Sequence, residues 1–418
     1  MLMQNSFRLL LALALLTPAF AQSDTSRDIG VINVQGDVTT IPLAISSSSP
    51  ELQNLALTAF NTHGRYRLVA SGGAYAIDFA PAGANQVTVT ITKGNRVSVE
   101  TDAAGRTIRA EGSGGSSVIH TQTVTGTNLR NALLRAADVA VTKTSGLHGW
   151  FAGKLAFVGE RTGKTEIYTS DLFFGDLFKW TGDGKQVMGP RWAPDGQRII
   201  FTSYRTGFPD IYVLELGNRR ISLLASFKGT NTGGHFSPDG TRVAMVLSGE
   251  GNAEVYVGNA QGRQLRRLTT NQAVEASPTF SPDGSRVLYV SDSAGGPQLY
   301  TLPATGGTPT RLSTNISKYC AEPDWSAAAP AKIVFTAGVG RGYQTAVFDM
   351  AAGSSKIVSK APTDSIEPVW LADGRHVICT FRAANTRSLY IVDTESGKAT
   401  RLSPAAMGNA SGASYLAQ

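Results

Sequence analysis

Phe236-Ser237-Pro238-Asp239-Gly240-Thr241-Arg242-Val243-Ala244 has a near copy on either side, Trp192-Ala193-Pro194-Asp195-Gly196 and Phe280-Ser281-Pro282-Asp283-Gly284, each displaced by 44 residues. Weaker copies follow at Trp325-Ser326 and at Trp370-Leu371-Ala372-Asp373-Gly374. A second marker runs in phase: Tyr168, Tyr212, Tyr256 and Tyr300, then Ala346 in a degenerate copy, then Tyr390. A third is the apolar run that begins at Leu155, Ile199, Val243, Val287, Ile333 and Val377, giving six copies of one unit.

Each unit reads as four strands: one bearing an aromatic residue, a Pro-Asp-Gly turn, an apolar strand, a Tyr-bearing strand, and a short one such as Arg267-Leu268-Thr269 or Arg311-Leu312-Ser313. Pro presets φ, Asp accepts backbone N–H groups two residues on, and Gly supplies the positive φ that reverses the chain. The turn aspartates are therefore structural, and neither catalysts nor metal ligands. Val287-Leu288-Tyr289-Val290 and Ile199-Ile200-Phe201 are apolar at consecutive positions, the pattern of a strand buried on both faces. A small sheet covered on both sides by copies of itself is a propeller blade.

Five aromatic first strands serve six sets of the others, so one must come from elsewhere. The 12-residue step from Leu224 to Phe236 and from Leu268 to Phe280, applied to Leu402, reaches Ser414-Tyr415. The C-terminal tail is expected to supply the innermost strand of the blade that starts at Lys154 and so to latch the ring.

The expected fold is an α+β N-terminal domain, 22–148, followed by an all-β six-bladed propeller, 149–418, behind a signal peptide, 1–21. Arg8, the apolar run 9–16, Pro18 and Ala19-Phe20-Ala21 form a secretory signal with its cleavage site; the run is too short for the ~20 residues of a membrane span. An exported, periplasmic product follows. In the N-terminal domain, Ser49-Pro50-Glu51 starts a helix whose inner face is Leu52, Leu55, Ala56, Ala59 and Phe60, ended by His63-Gly64. A second helix is predicted over 128–143, capped by Thr127, with Leu129, Leu133, Ala136, Ala137 and Ala140 inward. Strands are predicted at 29–34, 65–69, 87–92 and 97–101, the last two joined by a Gly94-Asn95 turn. The Gly/Ser stretch 112–117 lacks the Lys-Ser/Thr pair of a phosphate loop.

The 418 residues carry 38 Lys and Arg against 31 Asp and Glu, an excess of +1 over 22–148 and +5 over 149–418. Only Arg263, Arg266 and Arg267 cluster, which argues against a nucleic-acid stripe. A charge density of 17% excludes wholesale disorder, and two cysteines exclude a disulfide scaffold. Cys320 and Cys379 fall in successive blades and are expected as thiols, although export permits oxidation. There is no G-x-S-x-G or H-E-x-x-H, and the five histidines, at 63, 120, 148, 235 and 376, lack ligand spacing; each is read as a surface or packing residue. Neither metal nor cofactor is expected. Trp150, Phe208 and Tyr343 are candidate rim aromatics for a carbohydrate surface, although packing explains each as well. Glu322 and Glu367 precede Pro323 and Pro368 at the start of two innermost strands, at one mouth of the channel. They read either as contacts to a partner or cation, or as a solvated rim.

Export signal, small α/β domain and repeated S-P-D-G blades together resemble the TolB family, the periplasmic propellers of the Tol-Pal envelope system. The likeness is strongest over 154–314. Asp28-Ile29-Gly30-Val31 resembles the family's opening strand, and Leu147-His148-Gly149-Trp150-Phe151 its passage into the first blade. The resemblance implies a non-catalytic, monomeric adaptor for outer-membrane integrity and invagination during cell division. Its propeller mouth binds the peptidoglycan-associated lipoprotein Pal, and its N-terminal region binds the inner-membrane protein TolA. The implied Pal-facing residues are Thr230, Asn231, Gly233, Glu275, Ala276, Ser277, Glu322 and Glu367; the implied TolA segment is Gln22, Ser23, Asp24, Thr25, Ser26 and Arg27. The alternative is a periplasmic propeller enzyme, lactonase- or peptidase-like, with ligand or metal in the channel. Such an enzyme needs converging His, Asp or Glu on several innermost strands, where this chain carries mostly Trp, Phe, Ser and Pro.

Overall fold

The structure, a computed structural model, describes residues 40–418 apart from 95–96, 102–106 and 113–114. The signal peptide, the predicted strand 29–34 and the segment Gln22 to Arg27 lie outside the described residues.

Six four-stranded antiparallel sheets follow one another, each assembled from consecutive strands except the first. Ala410–Leu416 pairs antiparallel with Lys154–Gly159, Ser414 opposite Ala156 and Tyr415 opposite Leu155, and becomes the innermost strand of blade one. The latch predicted from the 12-residue step therefore forms at the expected residues. Within the blades, the second and third strands place repeat residues opposite one another: Phe157 and Tyr168, Phe201 and Tyr212, Met245 and Tyr256, Tyr289 and Tyr300. In the degenerate fifth blade the second-strand aromatic is kept and the third-strand Tyr is replaced, with Phe335 facing Ala346. Arg198 and Arg242, which follow the Pro-Asp-Gly turns, lie over Phe236 and Phe280 of the next blade at 4.7 and 5.3 Å, stitching neighbours by cation–π contact. Asp239 accepts from Ser237 Oγ and Thr241 N, as the turn chemistry requires, and these bonds hold its carboxyl down at about 2.

Ahead of the ring, helix α1 (Pro50–Thr62) and helix α2 (Leu129–Ser145) pack on a five-stranded sheet. Its strands are Tyr66–Leu68, Ile41–Ser46, Tyr75–Gly83, Gln86–Lys93 and Ser117–Thr125, in that order across the sheet. Ser49 caps α1 as expected. The cap of α2 is Asn128 and not Thr127: the Asn128 side chain accepts from Asn131 N at 2.8 Å. Val97–Thr101 does not pair with Gln86–Lys93; it pairs with Thr107–Gly112 in a separate two-stranded sheet, while Ser117–Thr125 takes the place beside Gln86–Lys93.

The α/β region seats on the face of the ring that carries the Pro-Asp-Gly-type turns. Asp138 of α2 accepts from Phe151 N at 2.6 Å and Ala152 N at 3.0 Å, and Arg130 pairs with Asp171. A Cβ at Gly149 would lie 2.3 Å from the Asp138 side chain, and one at Gly64 2.0 Å from Asp393 Oδ2. Leu147-His148-Gly149-Trp150-Phe151 is thus a docking hub, with Trp150 and Phe151 buried in a core shared by both parts.

Candidate functional site

Antiparallel alternation puts the loops leading into all six innermost strands on the opposite face, around one mouth of the channel. Each innermost strand has a β-bulge, and each bulge has one residue at positive φ: Gly189, Gly233, Ser277, Glu322, Glu367 and Gly412. Left-handed backbone is costly for residues with a Cβ, so Ser277, Glu322 and Glu367 mark places where another interaction holds the strain. For the two glutamates that interaction is visible. Glu322 Oε2 accepts from Glu367 N and Thr336 Oγ1, both at 2.8 Å. One blade further round, Glu367 Oε2 accepts from Gly412 N and Thr380 Oγ1, also at 2.8 Å. Each carboxylate therefore satisfies the bulge amide of the next blade, and together they stitch blades five, six and one. Burial pushes the Glu322 carboxyl up, with the nearby Glu367 charge adding to it.

Deeper in the same strands lie Arg191, His235, Thr279 and Asp324. Asp324 Oδ2 accepts from Trp370 N at 2.8 Å, and burial raises its carboxyl while the Arg191 charge opposes the rise. His235 hydrogen-bonds through Nδ1 to Phe236 O at 2.9 Å; burial, reinforced by Arg191, lowers its pKa to about 4. The imidazole is neutral at pH 7 and serves as a wall of the channel.

The implied partner residues separate into two groups. Thr230, Gly233, Ala276, Ser277, Glu322 and Glu367 are half-buried around the mouth. Asn231 and Glu275 turn inward and are fully buried. Asn231 Nδ2 donates to Phe227 O and Asp210 Oδ1, shaping the loop, and Glu275 Oε1 accepts from Asn271 and Ser291, with burial raising its pKa to about 7. On the same face Phe208 and Phe227 are exposed by 71% and 47%. Phe208 was legible as a rim aromatic; Phe227 was not, because an aromatic residue in a loop carries no periodic signal. Of the other rim candidates, Trp150 is buried at the opposite face and Tyr343 packs against Tyr319. A shallow depression beside the mouth is lined by Asn315, Ser317, Lys318 and Tyr319.

Cys320 and Cys379 are buried thiols. Of the histidines, His148 is exposed and His120 half-buried, whereas His63 and His376, remote in sequence, meet with ring centroids 4.5 Å apart. No spacing rule along the chain could have paired them.

The profile of the TolB beta propeller domain matches residues 141–416. The chain belongs to the TolB beta-propeller family. Over 102 residues it is 35% identical to the Tol-Pal system protein TolB of Cereibacter sphaeroides, and over 101 residues 37% identical to that of Roseobacter denitrificans; each match spans 23% of this chain and 23% of the relative. The matched stretch is thus about a quarter of the length of those relatives. The crystal structure of TolB from Acinetobacter baumannii superposes with a TM-score of 0.76 at 22% identity, over 93% of this chain and 99% of that one, and shares the fold. Among the described residues no helix is long and apolar enough to cross a membrane.

Proposed function

We propose that this chain is a non-catalytic periplasmic adaptor of a Tol-Pal system, binding a Pal-type lipoprotein at the propeller mouth. The observation that carries the reading is family membership combined with a ring latched by its own C-terminus, which presents six loops around one preformed mouth. A rigid concave surface loses little entropy on binding. The half-buried set Thr230, Gly233, Ala276, Ser277, Glu322 and Glu367 forms its inner rim, and Phe208 and Phe227 supply the exposed apolar anchors of the kind that dominate protein interfaces. The N-terminal segment Gln22 to Arg27, with the α/β region behind it, is assigned to TolA. In this reading the protein acts in outer-membrane integrity and in invagination during division, and works as a monomer.

The test is titration of purified full-length mature chain with the soluble domain of a Pal lipoprotein. Phe208→Ala with Phe227→Ala should weaken binding at least about tenfold, the loss of ~1.4 kcal/mol or more expected of truncated anchors. Glu322→Gln with Glu367→Gln keeps the bulge-amide acceptors and isolates the contribution of charge. Unchanged affinity in both double variants would overturn the mouth as the docking surface.

A further inference from the structure

At the seam between α1 and blade six, three polar rings meet out of reach of solvent. His63, the residue that ends α1, and His376 are fully buried, and Trp150 is buried beside them. His63 lies 4.5 Å from His376 and 5.6 Å from Trp150, centroid to centroid. Asp373, from the turn of blade six, has Oδ2 2.6 Å from His376 Nδ1. That contact fixes the tautomer with its proton on Nδ1 and leaves the Nε2 lone pair free, the arrangement in which a carboxylate orients a metal-ligating histidine. The Nε2 atoms of both histidines are buried with no hydrogen-bond partner among the described residues. Two such atoms at one spot are a considerable cost in a protein interior. Ligand atoms of His63, His376 and Asp373 all lie within 4.8 Å of one another.

We propose that His63 and His376, the latter oriented by Asp373, form a binding site for a divalent transition ion of the zinc class that fastens the α/β region to blade six. Paired imidazole nitrogens suit zinc, and the carboxylate behind His376 raises the basicity of its ring. Bonds of about 2.1 Å in tetrahedral array put ligand atoms about 3.4 Å apart, so binding draws the rings together. The charges around the site leave one net negative charge toward an incoming cation: Asp373, Asp393 and Glu395 against Arg375, which pairs with the latter two, and Lys398, whose ammonium donates to Asn61 O. Ligation through His63 Nε2 places the remaining ring proton on Nδ1 and gives up its long 3.3 Å contact from Arg65 N.

Full-length mature chain, purified without a histidine tag and stripped with chelator, is titrated with Zn2+ and with Co2+. The site predicts one ion per chain, visible d–d absorption of low-coordinate Co2+, a higher melting temperature with Zn2+, and at least about a tenfold loss of affinity in His63→Gln and in His376→Gln. Should Gln unsettle the seam, His63→Phe retains the ring against Trp150, and histidine 15N shifts of the unsubstituted chain on Zn2+ addition report ligation directly. Absence of those shifts and of the Co2+ spectrum, or undiminished binding in the His63→Gln/His376→Gln variant, overturns the site.

Discussion

His235 shows how the channel wall sets the chemistry of single residues. Its ring is held between Phe236 O and Thr279 Oγ1, and burial and Arg191 depress its pKa to about 4. The folded state therefore binds fewer protons than the unfolded chain between pH 6.5 and about 4. The resulting stabilisation is complete above pH 6.5 and is lost as pH falls through that window. An NMR titration of the histidine resonances should give His235 a midpoint near 4; a midpoint near 6.5 would mean an open, solvated wall. The turn aspartates were legible in the sequence because their partners are two or three residues away. Glu322 and Glu367 were legible only as residues preceding proline at the mouth. Their partners lie one blade onward, at Glu367 N and Gly412 N, and nothing local encodes that reach.

At the scale of elements, the cap of α2 gives a clean test. Asn128 Oδ1 satisfies Asn131 N, so Asn128→Ala should lower unfolding free energy by about 1 kcal/mol, read from the urea midpoint, while Thr127→Ala should change it little. Equal effects would restore Thr127 as the cap. The blade strands were readable because apolar runs and turns recur in phase six times. The α/β sheet was only partly readable. Tyr75–Gly83 includes Ala80-Pro81-Ala82-Gly83, a poor strand composition, and Ser117–Thr125 is exposed along almost its whole length, so no alternation of apolar and polar residues marks it. The visible pattern therefore points to Val97–Thr101 as the neighbour of Gln86–Lys93, whereas Gln86–Lys93 pairs with Ser117–Thr125 and Val97–Thr101 with Thr107–Gly112.

On the scale of the whole molecule, closure and seating share the C-terminal strand, which meets Glu367 at the mouth through Gly412 and meets Trp150 and Asn131 at the turn face through Tyr415 and Gln418. Deleting 410–418 removes the innermost strand of blade one together with the Gly412 amide that Glu367 binds and the Tyr415 hydroxyl that donates to Trp150 O. The loss should be about 5 kcal/mol or more, comparable with the whole stability of a domain, and the shortened chain should fail to give a cooperative melt by circular dichroism. A native-like melt would mean that the ring holds without its latch. The α/β region occupies the turn face through Asp138, Trp150 and the His63 seam, which leaves the mouth open for a partner. Hydrogen–deuterium exchange of the full-length mature chain with and without the soluble Pal domain tests that division of labour most directly. The expected result is protection at the mouth loops around 204–209, 226–233, 271–277, 315–322 and 360–367, with α1, α2 and their sheet unchanged. Protection confined to the α/β region, with the mouth loops exchanging as in the free protein, would contradict it.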